Sequence, residues 1–321
     1  MVVKNDIVRT IADGAVRLNL KNYDSDPKRT IRRLIDTGRR LSHSNVQSEM
    51  IAFIGSLFHS EHSAYYEAVD TEMQNVDRET LINFGVNLGV SSWKKGVHKL
   101  HLAMHLNANE LPWILEQDIT NENRNDFTEE YCNNLLDNFS KNGIVAFRLN
   151  FDKNSILQLP EICKSIRVHP ECSFFIVLPD ILLKDTLLSA LEILKNVLYG
   201  VQLNGENSGE LAKNLVRHKL LFARIVKLEN EDICKQSSVQ KELIISLTDL
   251  LPKNETSILI IDSEDDADQV SLQRFFTEVL AFRKSCKHPV LLVSYQNDIQ
   301  KINRIIHGED VNTNLSSYLP L

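Results

Sequence analysis

Cysteine is scarce and unpatterned in this chain, with five residues in 321, none in a C-x-x-C pair. An odd, scattered set argues against a disulfide framework and predicts a reducing, cytoplasmic setting. Long apolar runs are missing as well. Nothing approaches the roughly 18 residues a membrane-spanning helix needs, and Met1 to Ile7 lack the apolar core of a signal peptide. Positive charge is in deficit, 36 Lys and Arg against 43 Asp and Glu, for a net charge of -7. That leaves no electrostatic footprint for nucleic acid. Glycine numbers only 11, and no glycine-rich turn follows a β-rich run, which weakens a dinucleotide-binding open sheet. No internal repeat or low-complexity stretch is visible.

What is present falls into two patterns. Residues 1–22 carry apolar positions without a clear period. Asp26-Pro27 then reads as the N-cap and first position of a helix. Ile31, Leu34, Ile35 and Leu41 line its inner face, and Arg32, Arg33, Arg39 and Arg40 form a solvated outer one. Val46, Met50, Ile51, Ile54, Leu57 and Phe58 continue with helical spacing. A third helix holds Leu81, Ile82 and Val86, with Gly85, Gly89 and Gly96 punctuating its end.

From Trp113 short apolar runs appear at 113–118, 144–149, 173–178, 198–203, 222–227, 257–262 and 289–295. Amphipathic helices are expected between them at 128–141, 156–167, 183–194, 210–218, 239–251 and 272–284. Nearly continuous apolar runs are what parallel strands buried on both faces require. Strict strand–helix alternation makes the sheet parallel. The expected fold is therefore α/β: a helical N-terminal segment (1–107), a partial parallel (β/α)6–7 barrel (108–308) and a C-terminal tail (309–321).

The stretch Leu111-Pro112-Trp113 through Asp118-Ile119-Thr120 resembles one branch of the radical S-adenosylmethionine (radical SAM) superfamily. There a helical prelude leads into a first strand of the form Pro-Trp-x-x-x-x-Asp-Pro-Thr, and Ile119 stands here in the proline's place. Asn83-Phe84-Gly85-Val86-Asn87-Leu88-Gly89, Phe127-Thr128-Glu129-Glu130 and the passage from Phe282-Arg283-Lys284 to Lys287-His288-Pro289 extend the likeness along nearly the whole chain. The resemblance implies a radical-SAM-like barrel. Its chemistry would need three thiolates in a CxxxCxxC loop to hold a [4Fe–4S] cluster, and the loop at 121–126 has no cysteine. The Gly-Gly-Glu-Pro-like turn after strand two is replaced by Asn150-Phe151-Asp152-Lys153. The family comparison therefore implies loss of the cluster and of S-adenosylmethionine binding.

Candidate chemistry is thin. Cys132 and Cys163 lie on apolar helix faces, and Cys172, Cys234 and Cys286 stand alone, without the base a catalytic thiol needs. His98, His101 and His105 share a helix face, as do His59 and His62, but no acidic partner is in register for zinc. The best candidates are residues at strand C-termini, which a barrel gathers at one mouth: Asp118, Thr120, Asn150, Asp152, Asp180, Asn204 and Asp262, with Glu229 and Glu264 beside them. Such carboxylates can bind a ligand or act as acid and base. They equally serve as helix caps. Two functions follow. One is a non-catalytic accessory or regulatory barrel that binds a protein or peptide partner through its helical prelude. The other is a cluster-free enzyme, which requires Asp118, Asp152 and Asp262 to converge, or a small-molecule sensor at the same acidic mouth.

Overall fold

A computed structural model of the chain describes residues 3–42, 44–107, 111–263 and 268–308. The expected tail, 309–321, and Glu264 lie outside the described residues.

The prelude is helical from its start. Helix α1 (Val3–Leu20) occupies the stretch whose period was unclear. Its apolar residues fall on two opposite stripes. Val8, Ala12, Val16 and Leu20 pack inward, while Ile7, Ile11 and Leu18 face outward, so one-sided periodicity is blurred. Helix α2 (Pro27–Leu41) starts as its cap predicts, with Asp26 accepting from the Arg29 amide at 3.1 Å. Helices α3 (Asn45–Leu57), α4 (Tyr65–Asn75) and α5 (Arg78–Val86) follow. Gly85, Gly89 and Gly96 do not end the third predicted helix. The chain runs on through a π-helical segment (Asn87–Gly96) into α6 (Val97–Asn107). The wider turn is braced by side chains: Ser44 donates to the Trp93 carbonyl at 2.8 Å and Gln47 to the Gly89 carbonyl at 2.9 Å.

The barrel units are β1 (Ile114–Ile119), α7 (Glu129–Lys141), β2 (Ala146–Phe151), α8 (Leu159–Val168), β3 (Ser173–Val177), α9 (Asp185–Leu191), β4 (Val197–Gln202), α10 (Ser208–Arg217) and β5 (Phe222–Leu228). Then come α11 (Asn230–Ile233), α12 (Ser237–Asp249), β6 (Ile258–Ser263), α13 (Gln269–Ser285), β7 (Leu291–Ser294) and α14 (Tyr295–His307). All seven strands are parallel and lie in chain order, β1 to β7. A doubly wound sheet reverses order at a switch point. Right-handed crossovers in constant order keep every helix on one face and curl the sheet toward a barrel. Among the described residues β1 and β7 are the two ends of the ladder, so the barrel is partial.

Alternate residues separate two cores. Phe147, Leu149, Phe174, Ile176 and Tyr199 meet the helices outside. Phe175, Val177, Ala223, Ile225, Ile260 and Tyr295 fill the bore. Packing there is tight: a Cβ on Gly200 would lie 2.3 Å from Ile225 Cδ1 and 3.0 Å from Phe175 Cε2.

The prelude docks on residues that precede the strands, so it covers the end of the barrel opposite the mouth. Asn87 donates to the carbonyls of Pro170 (2.7 Å) and Cys172 (2.9 Å), just before β3. The Asp77 amide donates to the Lys219 carbonyl at 2.9 Å, before β5. Buried Glu72 accepts from the Thr256 hydroxyl (2.9 Å) and the Ser257 amide (2.7 Å), before β6. The Ala64 amide donates to the Cys286 carbonyl at 2.9 Å, before β7.

Candidate functional site at the barrel mouth

Strand alternation sends Asp118 of β1, Asn150 of β2 and Asp262 of β6 to the inner face at the C-terminal end. The ladder sets Asp118 opposite Asn150, and Lys227 opposite Asp262. Asn150 Nδ2 donates to Asp118 Oδ1 at 2.7 Å. Its Oδ1 accepts from Arg148 Nε at 2.8 Å. The same guanidinium donates through Nη2 to Asp262 Oδ2, and Asp262 Oδ1 accepts from Gln296 Nε2. One hydrogen-bonded chain thus runs Asp118–Asn150–Arg148–Asp262–Gln296 across the mouth.

Arg148 and Asp262 are both buried, and the Arg148 guanidinium carbon sits 4.0 Å from the Tyr295 ring centroid and 5.3 Å from that of Phe175. Taking this cation out of water is costly unless it is paired and hydrogen-bonded, and each of those needs is met. Burial pushes the Tyr295 phenol well above its ordinary range, so it stays neutral beside the cation. Gln296 also ties itself to Ser263, accepting from its amide and donating to its carbonyl, both at 3.0 Å. That fixes the exit of β6 against the start of α14.

The other mouth candidates go elsewhere. Asp152 closes the turn after β2: Oδ1 accepts from the amides of Asn154 (2.8 Å) and Ser155 (2.7 Å), and Oδ2 from the Asn121 amide (2.9 Å). Its carboxylate oxygens are taken up by these amides and make no hydrogen bond to the chain that links Asp118 and Asp262. Asp180 braces the loop before α10, accepting from the Asn207 amide at 2.9 Å. A Cβ on Gly205 would meet Asp180 Oδ1 at 2.4 Å, so a larger residue there would have to displace that carboxylate. The Thr120 amide is held by Asn123 Oδ1 at 2.8 Å. Asn204 is exposed in the turn after β4, and Glu229 is exposed at the start of α11.

Hydrogen bonds from backbone amides, Ser155 first, hold the Asp152 carboxyl below its usual range. Its folded form therefore binds a proton less readily than the unfolded chain. The stabilisation is present above the unfolded carboxyl range and is lost as pH falls toward the depressed folded value. Asp152→Ala should accordingly be less stable than the wild type at neutral pH, with the gap closing as the solution is acidified. Paired urea titrations from pH 7 down to pH 3 measure it, and a gap that stays constant would show the carboxylate does not cap this turn.

The β1–α7 loop carries no cysteine and is braced by its own side chains. Asn123 bridges it internally, donating to the Asp118 carbonyl at 2.9 Å, and Arg124 reaches the Asn154 carbonyl at 3.0 Å. The next thiol, Cys132, is buried on the inner face of α7, and burial pushes it up to about 11. Cys163 and Cys172 are buried too, and burial raises both, Cys163 to about 12. Among the described residues no group of three His, Cys, Asp or Glu could hold a metal ion. His101 instead meets the Ile306 carbonyl at 2.6 Å, joining α6 to α14, while His98 and His105 are exposed. Arg32 of the basic face pairs with Glu61 at 3.1 Å.

Comparison with family models, curated proteins and solved structures finds no match. The likeness to radical SAM enzymes rests on residues of this chain alone.

Arg148 and Gln296 are the site residues that sequence reasoning missed. Arg148 interrupts the apolar run Val145-Ala146-Phe147-Arg148-Leu149, and a charge inside a doubly buried strand is itself a sign of a buried partner. Gln296 lies one residue past the last expected strand, in a helix the apolar pattern did not reveal.

No helix among the described residues is long and apolar enough to cross a membrane.

Proposed function

We propose that this chain is a non-catalytic, radical-SAM-like barrel that acts as an accessory or regulatory subunit by binding a protein or peptide partner. The observation that carries the reading is the outer stripe of α1. Ile7, Ile11 and Leu18 are 49%, 54% and 65% exposed, and at 100° per residue they fall within about 40° of one another on the helix. Gly14 lies on the same stripe with nothing within 4 Å of where its Cβ would be. An apolar line with a small residue near its centre suits close packing against the apolar face of a partner's amphipathic helix. At the mouth, the acids with defined roles are engaged in pairing or capping, which favours scaffold over catalyst. An active peptide-modifying relative is the partner class that the family resemblance suggests.

The test compares the wild type with Ile11→Glu/Leu18→Glu as immobilised bait, identifies what only the wild type retains, and repeats the measurement with that protein purified. Loss of two buried apolar contacts is expected to weaken binding about 100-fold or more. Equal affinity for both baits would remove α1 as the docking face.

The second reading, a cluster-free enzyme or a small-molecule sensor at the mouth, draws on the Asp118–Asn150–Arg148 chain. Asp118 is exposed at its end, and Lys227 is exposed beside Asp262. Those groups suit a polar ligand more than an acid–base pair.

A further inference from the structure

Glu72 of α4 is 5% exposed and meets the lead-in to β6, where the prelude is tied to the barrel. Its Oε1 lies 2.7 Å from the Ser257 amide, 2.8 Å from the Ser257 hydroxyl and 2.9 Å from the Thr256 hydroxyl. Its Oε2 is buried and has no hydrogen-bond partner among the described residues. Every group that bonds this carboxyl is uncharged. The charged groups around the seam are engaged with one another or face open space. Arg224 of β5 closes on Glu255, Arg283 of α13 on Asp298, and Lys28 and Arg32 of α2 are held by Glu61. Glu67, Asp249, Lys253 and His288 line an open cleft of about 340 Å³ that Thr256 and Ser257 also border.

Counting hydrogens separates the two charge states. Each hydroxyl has one hydrogen and two acceptors in range. Thr256 has Glu72 Oε1 and the Phe222 carbonyl at 2.8 Å, and Ser257 has Glu72 Oε1 and the Ala68 carbonyl at 2.9 Å. An ionised Glu72 draws both hydrogens away from those carbonyls and still leaves half its charge at Oε2 without a donor. A protonated Glu72 needs neither hydrogen. With its proton on Oε1 it donates to one hydroxyl, accepts from the Ser257 amide, and lets both hydroxyls keep their carbonyls. Only a neutral oxygen, Oε2, is then bare, which costs far less than a buried charge without a counter-ion. Burial accordingly pushes the Glu72 carboxyl above its usual range, and the bonds from Ser257 and Thr256 offset only part of that rise.

We propose that this contact is a proton-operated latch: protonated Glu72 clamps α4 to the lead-in of β6, and its ionisation releases that edge of the prelude from the barrel. Ionisation draws the carboxylate toward the adjoining cleft and away from the Ser257 amide. The folded chain holds this proton more tightly than the unfolded one. The clamp is therefore complete below the unfolded carboxyl value and is lost as pH rises through the higher folded value. The latch requires neither a ligand at the mouth nor a partner on α1.

The test follows the Glu72 side-chain carboxyl carbon by nuclear magnetic resonance in ¹³C,¹⁵N-labelled full-length protein from pH 4 to pH 9, together with hydrogen exchange of the Ser257 amide. The carboxyl is expected to titrate above the ordinary glutamate value of about 4.3. As pH rises from that value to the measured midpoint, the Ser257 protection factor should fall by up to about tenfold per pH unit and then level off. In Glu72→Gln, which is neutral and nearly the same shape, it should stay constant. A carboxyl already ionised at the ordinary value, a wild-type protection factor that does not change with pH, or an equal fall in folded Glu72→Gln would each overturn the latch. The first two readings need only the wild type.

Discussion

Asp262→Ala is expected to lower the unfolding free energy by about 3–5 kcal/mol, because it removes the close, buried counter-ion of a buried guanidinium. Arg148 would keep one neutral hydrogen bond to Asn150, its contact with the Tyr295 ring, and the half-exposed Glu116 carboxylate at 3.9 Å. A carboxylate that distant and solvated does not replace one in direct contact. The loss should appear in urea unfolding as a lower midpoint at unchanged slope. The decisive comparison is the double variant Arg148→Met/Asp262→Leu. If the pair sets geometry more than it adds net stability, the apolar double should recover most of what the single variant loses. A single variant within about 1 kcal/mol of wild type would mean that water reaches Arg148 and that the mouth is looser than described.

Gly143→Ala should be comparably severe, at about 3–5 kcal/mol, for a different reason. Gly143 sits in the turn between α7 and β2 at φ +101°, where an L side chain is strained. Its Cβ would stand 2.4 Å from the Gly96 carbonyl oxygen, 2.7 Å from the Leu100 amide nitrogen and 2.8 Å from Lys99 Cβ. Gly96 faces it in turn, with its own Cβ position 2.7 Å from the Gly143 oxygen. Two backbones therefore touch where the prelude meets the barrel, and one methyl group pries them apart. Thermal unfolding followed by far-ultraviolet circular dichroism reads the loss, and a shift of less than about 2 °C would show that the seam yields without cost.

How far these features were legible in the sequence depends on how local their causes are. The alternation of strands and helices could be read because each βα unit carries its own apolar signature. Asp26 could be read as a cap because the residues it serves are its neighbours. Helix α1 was obscured because it is apolar on two sides, a pattern that one-sided periodicity does not describe. The three prelude glycines looked like punctuation, yet Gly96 is present for a backbone met 47 positions later. At the mouth, Asp118, Asp152 and Asp262 look alike in sequence. Only strand parity sends the first and last inward, and only the turn after β2 turns Asp152 to its own amides. Arg148 was passed over because its partner is 114 residues away.

The way the prelude grips the barrel also bears on how the chain is made. Residues of α3 to α5 are held by groups far downstream: the Tyr65 hydroxyl donates to the Arg283 carbonyl across 218 positions, and Ser257 donates to Glu72 across 185. The ladder's first strand is likewise met by the last helix, where the Trp113 amide donates to Asn303 Oδ1 across 190 positions. During synthesis the prelude leaves the ribosome with its docking faces bare, and the last of them is covered only when the final βα unit is complete. Loop-closure entropy over such spans slows the last step. The nascent prelude is thus the segment most in need of a chaperone, and truncation before α14 would leave both ends of the ladder unsupported.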